Sequence, residues 1–432
     1  MHRLQHFRGH RVRYVGDVRS QIIDAASREI QDRGEAGLRL DKVAAEVNIS
    51  VSLLYRYVAN RQELVLLGTE RWAAEAAGLF EEQITSILES VTTFDQLAEA
   101  SWGFVIDAAA QEQDDMRWGL AASVMLSQRH PTMVHQSKEC RQRGFDALTR
   151  ALERIIASSG TTPVIGPRTL SRFLMSLWYG NLIALLNEHV ECDPTEVAAL
   201  LSEIIVALIQ GDEVEPPAGD PEIEVIPGGF VLPPPTNRRD AILQAATEEI
   251  EEVGMSDFLL KSVAHRAGVT PSHVHYYFSS MSELLAGATV YRTNAAVEQW
   301  RMASAIDFEL PVDREALARL FDTAARRAVS SDLRSFRHET VESLLIARNH
   351  PAALAAAVST SSKIRTYWME LLDTADEHGL LRREDFTCTT IASLMQTLVY
   401  GLYFFDNEAI TPADVDEWRT LYAVVAKVIM VR

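Results

Sequence analysis

The chain has 432 residues, of which 47% are hydrophobic, and its formal net charge is −19 at pH 7. This length predicts two to four domains, and the apolar content suffices for more than one core. The longest apolar stretches, near 174–186 and 394–405, fall short of the roughly 18 residues that cross a membrane. The three cysteines form no metal or disulfide pattern and neither end resembles a secretory signal, so we expect a cytoplasmic protein without metal, cofactor or membrane partner.

The negative charge is unevenly distributed, and the first part of the chain is basic. Residues 1–16 contain four arginines and no acid, and residues 1–72 hold 12 Lys and Arg against 9 Asp and Glu, a net charge of +3. Attraction to nucleic-acid phosphates depends on the local face and not on the whole chain. The basic arm 1–16 is interpreted either as a solubilising tail or as an arm that follows a minor groove or a phosphate backbone.

An internal repeat divides the chain into two halves. An offset of 220 residues aligns 19–64 with 239–284 without a gap and gives 14 identities in 46 positions, where chance gives about three. Two further pairs continue the repeat, His130-Pro131 with His350-Pro351 and, after a slip of one residue, Tyr179-Gly180 with Tyr400-Gly401. The sequence therefore predicts the duplication of a complete two-domain unit.

The first repeat begins with the pattern of three helices. An apolar stripe from Ile22 to Ile30 predicts a first helix that stops at Gly34. A short helix over 40–47 follows, and a second short helix is expected over 51–57. These two short helices have the arrangement that enters a major groove of DNA.

The turns of this motif carry capping residues. The turn Asn48-Ile49-Ser50 separates the two short helices, and Ser50 is a candidate N-cap for the second of them. Asn60 and Glu63 form a capping pair that predicts the start of a longer helix.

These residues resemble the tetracycline-repressor (TetR) family of regulators. The match covers 43–58 (VAAEVNISVSLLYRYV) and 60–64 (NRQEL) in the first half, and 263–272 (VAHRAGVTPS), 277–278 and 282–284 in the second. The resemblance implies an all-α fold in which each half has an N-terminal helix-turn-helix, three-helix DNA-binding domain. It also implies that a helical ligand-binding domain follows in each half and forms the dimer interface through its last two long helices.

The resemblance also implies which residues contact DNA. Tyr57, Tyr277 and Arg61 occupy positions at which the family contacts phosphates, and Tyr55 occupies that of the recognition-helix tyrosine. Arg56 suits guanine, because an arginine can donate two hydrogen bonds to its edge. The full set of DNA-binding candidates is Arg39, Ser52, Leu53, Tyr55, Arg56, Tyr57 and Arg61 in the first half and Ser272, His273, His275, Tyr276 and Tyr277 in the second.

The second repeat departs from the family pattern. Met281 replaces the family's lysine, His275 replaces its tyrosine, and Leu259 stands where a threonine is usual. Residues 236–292 carry five Lys and Arg against seven Asp and Glu, a net charge of −2. The second motif is interpreted either as a reader of bases that has lost phosphate contacts, or as a degenerate copy retained for the dimerising domain that follows it.

A proline-rich acidic segment joins the two halves. Residues 211–235 contain seven prolines, six acids and no Lys or Arg, which predicts an extended connector. Each half ends in two apolar helices, over about 168–190 with 194–210 and about 388–406 with 412–431. A capped start is predicted for the helix over 194–210, from Asp193, Pro194 and Glu196. We expect all four helices to pair within the chain.

These features predict six segments. They are a basic arm 1–16, a first DNA-binding domain 17–64, a first regulatory domain 65–210, a linker 211–235, a second DNA-binding domain 236–284 and a second regulatory domain 285–432. The regulatory domains are expected to bind a small apolar or aromatic effector. Candidate pocket residues are Trp102, Trp118, Met125, Phe145, Trp178, Phe336, Trp368 and Tyr400.

The sequence therefore predicts a transcriptional regulator of double-stranded DNA, a ligand-responsive repressor whose two TetR-like units pair as an intramolecular pseudo-dimer on an asymmetric operator. An alternative interpretation keeps the fold and makes the chain a ligand-binding or protein-interaction module whose DNA binding has degenerated. The sequence has no phosphate-cradling glycine loop and no catalytic arrangement of residues, so an enzyme is not expected.

Overall fold

The computed structural model consists of two compact units, residues 1–72 and residues 73–432. The structure describes residues 18–35, 37–100, 114–129, 135–186, 194–210, 216, 231–253, 258–308, 313–329, 351–382, 384–402 and 412–431. Across these ranges there is no strand, and an isolated β-bridge joins Leu381 to Met430. The predicted all-α fold is confirmed. Within the same ranges, no helix is both long enough and apolar enough to span a membrane.

The first unit is a three-helix motif followed by the start of a long helix. Its elements are α1 (Val18–Arg33), α2 (Leu40–Glu46), α3 (Val51–Leu54) and the first part of α4 (Arg61–Ser90). The predicted stripe of α1 is buried, from Ile22 to Ile30, and Gly34 ends the helix at φ 71° as predicted. A Cβ on Gly68 of α4 would lie 2.8 Å from Cδ1 of Ile30, so a glycine allows α4 to approach α1 closely.

The second unit contains the rest of the first half and the whole second half. After α4, residues 94–100 are helical, and the first half continues with α5 (Asp114–Arg129), α6 (His135–Ser159), α7 (Pro167–Leu186) and α8 (Pro194–Gln210). The second motif comprises α9 (Arg238–Val253), α10 (Leu260–Arg266), α11 (Pro271–Tyr277) and the start of α12 (Met281–Phe308). The chain continues with α13 (Arg314–Val329), α14 (Pro351–Glu377), α15 (Cys388–Leu402) and α16 (Pro412–Ile429).

The helices near the end of each half pack against those of the other half. Helix α7 lies against α15, and α8 lies against both α15 and α16. Both final helices, α8 and α16, bury apolar residues, with Leu200, Ile204, Trp418 and Tyr422 each 0% exposed. Burial of these residues on both sides accounts for the packing, because apolar surface removed from water is the main favourable term in such contacts.

The approach of α7 to α15 depends on two glycines. A Cβ on Gly180 would overlap the carbonyl oxygen of Thr397, and a Cβ on Gly401 would overlap the carbonyl oxygen of Ser176. Both overlaps are with backbone atoms, which cannot rotate away as a side chain can. The two helix backbones are therefore in direct contact at this crossing.

Glu196, near the start of α8, makes a contact that the capping prediction does not include. The predicted cap, Asp193, lies outside the described residues, so the capping pair stays a prediction. Oε2 of Glu196 accepts hydrogen bonds from the Thr387 hydroxyl at 2.8 Å and the Thr390 hydroxyl at 2.6 Å. The carboxylate thus reaches the first turn of α15 in the other half.

The end of the linker lies along α12. The backbone amide of Val231 donates to Oε1 of Gln299 at 3.3 Å, and Nε2 of Gln299 donates to the carbonyl oxygen of Val231 at 2.5 Å. The Tyr291 hydroxyl donates to the carbonyl oxygen of Pro233 at 3.0 Å. Residues 231–235 form neither helix nor strand, and the extended conformation predicted for the linker stays a prediction.

The predicted effector-pocket residues are core residues wherever the structure describes them. Trp118, Phe145, Trp178, Trp368 and Tyr400 are each less than 8% exposed. The side chain of Met125 and all of Trp102 and Phe336 lie outside the described part. Burial suits both a packed core and the lining of an effector site, so the pocket assignment stays a prediction. Cys140 and Cys388, the two cysteines within the described ranges, are both free thiols.

Candidate nucleic-acid interface

The turn between α2 and α3 has a left-handed residue. Asn48 has φ 59°, a conformation that asparagine tolerates better than most residues. Two residues later, the side chain of Ser50 accepts a hydrogen bond from the backbone amide of Leu53 at 3.1 Å, which confirms Ser50 as the predicted N-cap of α3.

The second motif builds the same turn with different residues. Gly268 stands at the position of Asn48 and has φ 63°, and Thr270 caps α11 through the backbone amide of His273 at 3.3 Å. Val263, Ala264, Val274 and Phe278 are buried in the core of this motif. The second copy has therefore kept the fold of the motif, although its surface differs.

The left-handed backbone conformation of Gly268 should limit which residues can replace it. No atom lies within 4 Å of a Cβ built on Gly268, so alanine has room there but adopts a left-handed conformation that costs about 1–2 kcal/mol. We expect G268A to lower the stability of the second motif and G268N to be nearly neutral, as Asn48 is at the same position. Hydrogen exchange of the α11 amides measures this. An equal loss for both variants would contradict the argument.

The helices that follow the two motifs start in the same way. The backbone amide of Glu63 donates to Oδ1 of Asn60 at 2.8 Å, and the Glu63 carboxylate accepts in return from the amide of Ala59. This reciprocal pair confirms the predicted cap of α4. In the second copy, the amide of Glu283 donates to the Ser280 hydroxyl at 3.1 Å, and Glu283 accepts from the amide of Ser279 at 2.7 Å.

The recognition helix of the first copy is shorter than predicted. The sequence predicts a helix over 51–57, but α3 ends at Leu54. The amides of Arg56 and Tyr57 then bond to carbonyls three residues back, at 3.0 and 2.9 Å, so the last turn is tightened. In the second copy, α11 continues to Tyr277. Local propensity does not distinguish these endings, because both segments carry similar aromatic residues.

The candidates of the first copy fall into two groups. Ser52, Tyr55 and Arg56 are exposed, and neither an ion pair nor a hydrogen bond ties the Arg56 side chain to the described residues. Tyr57 and Leu53 are half-buried. Arg56 is thus the cation of α3 and its last turn that is available to a ligand.

Two arginines of the first copy already have partners. The Arg39 guanidinium pairs with Asp41 at 2.8 Å, and the hydrogen bonds of this pair raise the pKa of Arg39 and lower that of Asp41. Nη2 of Arg61 donates to the carbonyl oxygen of Glu35 at 2.8 Å. Arg61 therefore holds the loop before α2, and its predicted phosphate contact would be made in addition to this role.

The second copy presents an aromatic cluster. The rings of His273 and Tyr277 stack with centroids 6.1 Å apart, and the Tyr276 ring stands edge-on to Tyr277 at 5.1 Å. Tyr276 is 80% exposed, and Ser272, His273 and His275 are also exposed. Among the described residues, no group of three His, Cys, Asp or Glu side chains could hold a metal ion, and the two histidines belong to no such group.

An ion pair links the first two helices of each motif, with its charges reversed between the copies. In the first copy, Arg28 of α1 pairs with Glu46 of α2 at 2.7 Å. Arg266 stands at the position of Glu46, and it pairs with Glu249 at 2.9 Å and with Glu252. These hydrogen bonds raise the pKa of Arg266. The Arg266 guanidinium is therefore engaged with the acids of α9.

Three arginine positions of the first copy are apolar or aromatic in the second. At the offset of 220 residues, Arg39, Arg56 and Arg61 correspond to Leu259, Tyr276 and Met281. All three replacements are exposed, by 60%, 80% and 38% respectively. The sequence already contained this signal, because the offset aligns the residues directly, but their exposure required the structure.

The geometry defines two helix-turn-helix motifs of a DNA-binding regulator. The sequence model of the tetR family of bacterial regulatory proteins matches the chain twice, at residues 22–67 and 242–288. Each match runs from the first helix of a motif into the long helix that follows it. The chain therefore belongs to the tetR family of bacterial regulatory proteins, as a tandem member.

Several solved structures are similar to parts of the chain. Candidate TetR-family transcriptional regulators from Mesorhizobium loti and Rhodococcus sp. are 16% and 21% identical, cover 44% and 45% of this chain and 96% and 98% of their own, and have TM-scores of 0.34 and 0.36. The transcriptional regulator FadR from Bacillus subtilis, solved with stearoyl-CoA, is 19% identical, covers 45% of this chain and 99% of its own, and has a TM-score of 0.30. No curated protein matches the sequence.

Proposed function

We propose that the chain is a cytoplasmic, ligand-responsive repressor in which the two tetR-type units pair within one molecule. The pair presents two unequal reading motifs to one asymmetric operator. A tetR-type regulator with a single motif would need two identical chains to supply two reading helices, and their operator would be palindromic. A tandem chain supplies both helices itself, and its two halves are free to differ.

The reciprocal contact between α7 and α15 carries the pairing proposal. Gly180 and Gly401 are equivalent residues separated by 221 positions, and so are Ser176 and Thr397. Gly180 lies against Thr397, and Gly401 lies against Ser176. In a twofold-symmetric contact, a residue of the first half contacts a second residue in the other half, and the equivalents of these two residues make the same contact with the halves exchanged. The axis in this case relates two halves of one chain.

A second reciprocal contact supports the same axis. Glu196 of α8 accepts from Thr390 of α15, and Glu417 of α16 accepts from Thr169 of α7. Thr169 and Thr390 are again separated by 221 positions. Each final helix thus sends a carboxylate to the start of the penultimate helix in the other half, where the helix dipole favours negative charge. The bonds from Thr390 and Thr387 lower the pKa of Glu196.

Regulation is proposed to act through the same pairing. An effector that binds one arrangement of the regulatory helices more tightly would shift the population toward it. Because both halves share the α7–α15 contact, a change in either half would be felt at both motifs, and DNA would be released.

Stoichiometry on DNA tests the pairing and the operator together. A duplex selected from random sequence by the full chain should be asymmetric, and the mass of the complex should contain one chain of 48.2 kDa. A palindromic duplex that binds two chains would show that pairing occurs between molecules.

Arg56 should carry much of the reading by the first motif. We expect R56A to weaken binding to the selected duplex by about 5- to 150-fold, as one lost bidentate base contact does. The matched control is R150A, which removes the same charge from an exposed position on α6. Affinity is measured over a range of salt concentrations. If R56A changes nothing, Arg56 does not read the duplex; if no duplex is selected at all, the chain is a module whose DNA binding has degenerated.

A further inference from the structure

One position of the reading surface differs in chemistry between the two copies. Arg56 and Tyr276 are each the sixth residue after the N-cap, which is Ser50 in the first motif and Thr270 in the second. Both side chains are exposed. Arg56 lies in the tightened turn that follows α3 and Tyr276 lies in the last turn of α11, so both stand at the C-terminal end of the reading segment and would meet the same position in their respective half-sites.

The surroundings of the two residues suit different contacts. The Arg56 side chain is exposed and offers the five donors of a guanidinium, and no ion pair or hydrogen bond ties it to the described part of its motif. Tyr276 stands edge-on to Tyr277 at 5.1 Å and to His273 at 6.3 Å, and the residue is 80% exposed. A ring supported in this way is a preorganised apolar surface.

We propose that the two half-sites are distinguished at this position, where Arg56 selects guanine and Tyr276 selects thymine through its C5 methyl group. This inference rests on the proposed function. Guanine alone offers two acceptors in the major groove for a bidentate arginine, and thymine alone offers a methyl group. Tyr276 has the apolar surface for the methyl contact and lacks the charge that guanine recognition uses.

The neighbouring replacements make the apolar contact more important in the second half-site. Leu259 and Met281 stand where the first copy has Arg39 and Arg61, so attraction to phosphates is weaker there. Arg266 is bound to Glu249 and Glu252, and Lys261 is the exposed cation that α10 retains. Binding in this half-site depends more on contact with the bases than on charge.

An exposed apolar face can also bind a protein, but the structure of the motif favours DNA. The left-handed turn residue Gly268, the N-cap Thr270 and the buried Val274 preserve the presentation of α11. A surface used only for protein contacts has no requirement for a capped recognition helix after this particular turn.

The test removes a single methyl group from DNA. The full chain first selects a duplex, and R56A identifies the half-site that belongs to the first motif. Each thymine of the other half-site is then replaced by deoxyuridine, which differs from thymine only in lacking the methyl group. One of these replacements is expected to weaken binding by about threefold to fivefold, the value of one buried methyl.

Variants of Tyr276 complete the test. Y276F should keep the sensitivity to deoxyuridine, Y276A should lose it, and Y276R should change the selected base at that position from thymine to guanine. Tyr276 is 80% exposed, so these variants leave the core unchanged. The inference is overturned if the second half-site is insensitive to every methyl removal, or if Y276A leaves DNA affinity unchanged, which would assign the face to another partner. If no duplex is selected at all, the proposed function fails, and the inference fails with it.

Discussion

Replacement of Gly401 with alanine should destabilise the paired halves by about 3 kcal/mol or more, at the upper end of the range for overpacking. The new Cβ would overlap the carbonyl oxygen and Cα of Ser176. Because these are backbone atoms of α7, relief requires the two helices to separate, and separation exposes apolar residues along the whole contact. Thermal unfolding of the full chain measures the loss.

The reciprocal contact predicts the effect of a second variant in the same experiment. G180A should cost about as much as G401A, because its Cβ would overlap the backbone of Thr397 in the same manner. The matched control is G144A on α6, where the nearest atom is Cα of Glu81 at 3.9 Å. This control should be neutral or stabilising by up to about 1 kcal/mol, since alanine favours a helix over glycine. A large effect from only one of the two interface glycines would argue against a twofold pairing in solution.

Local features of the fold could be predicted from the sequence because their signals lie within a few residues. The stripe on α1, the stop at Gly34, the cap at Ser50 and the pair of Asn60 with Glu63 all occur as predicted. Each depends on contacts three or four residues apart, which a single sequence displays directly. The internal repeat predicted, in addition, that the chain contains two such motifs.

Features that depend on distant residues could not be predicted in this way. Glu196 satisfies a local capping rule, yet its carboxylate binds threonines more than 190 residues away. Arg266 is a cation on the second motif, but two glutamates of α9 bind it. In both cases the choice between partners is made by tertiary packing, which brings a second, better-placed group to the same side chain.

The divergence of the two motifs has a simple physical basis in the tandem chain. In a symmetric dimer of identical chains, a substitution at the position of Arg56 changes the contacts with both half-sites at once. In this chain, the same position can be an arginine in one motif and Tyr276 in the other. The core of each motif remains under the same packing constraints, which is why Val263 and Val43 are both buried while the exposed residues differ.

Replacement of Asp414 with asparagine should cost about 3–5 kcal/mol, the range for breaking a buried ion pair from one side. Oδ1 of Asp414 on α16 lies 2.7 Å from Nη1 of Arg172 on α7, and the side chains are 16% and 3% exposed. Asparagine has nearly the same shape as aspartate, so the decrease in the free energy of unfolding reports the removal of the Asp414 charge. Chemical unfolding of the full chain measures it.

Two further variants decide whether charge is the cause. E46Q removes a carboxylate from the Arg28 pair, whose side chains are 58% and 47% exposed, and it should leave stability unchanged. The double variant R172M with D414L removes both charges and should recover most of the stability lost in D414N, because an apolar pair of similar volume often matches a buried ion pair. If the double variant stays as unstable as D414N, shape and not charge determines the contact between α7 and α16.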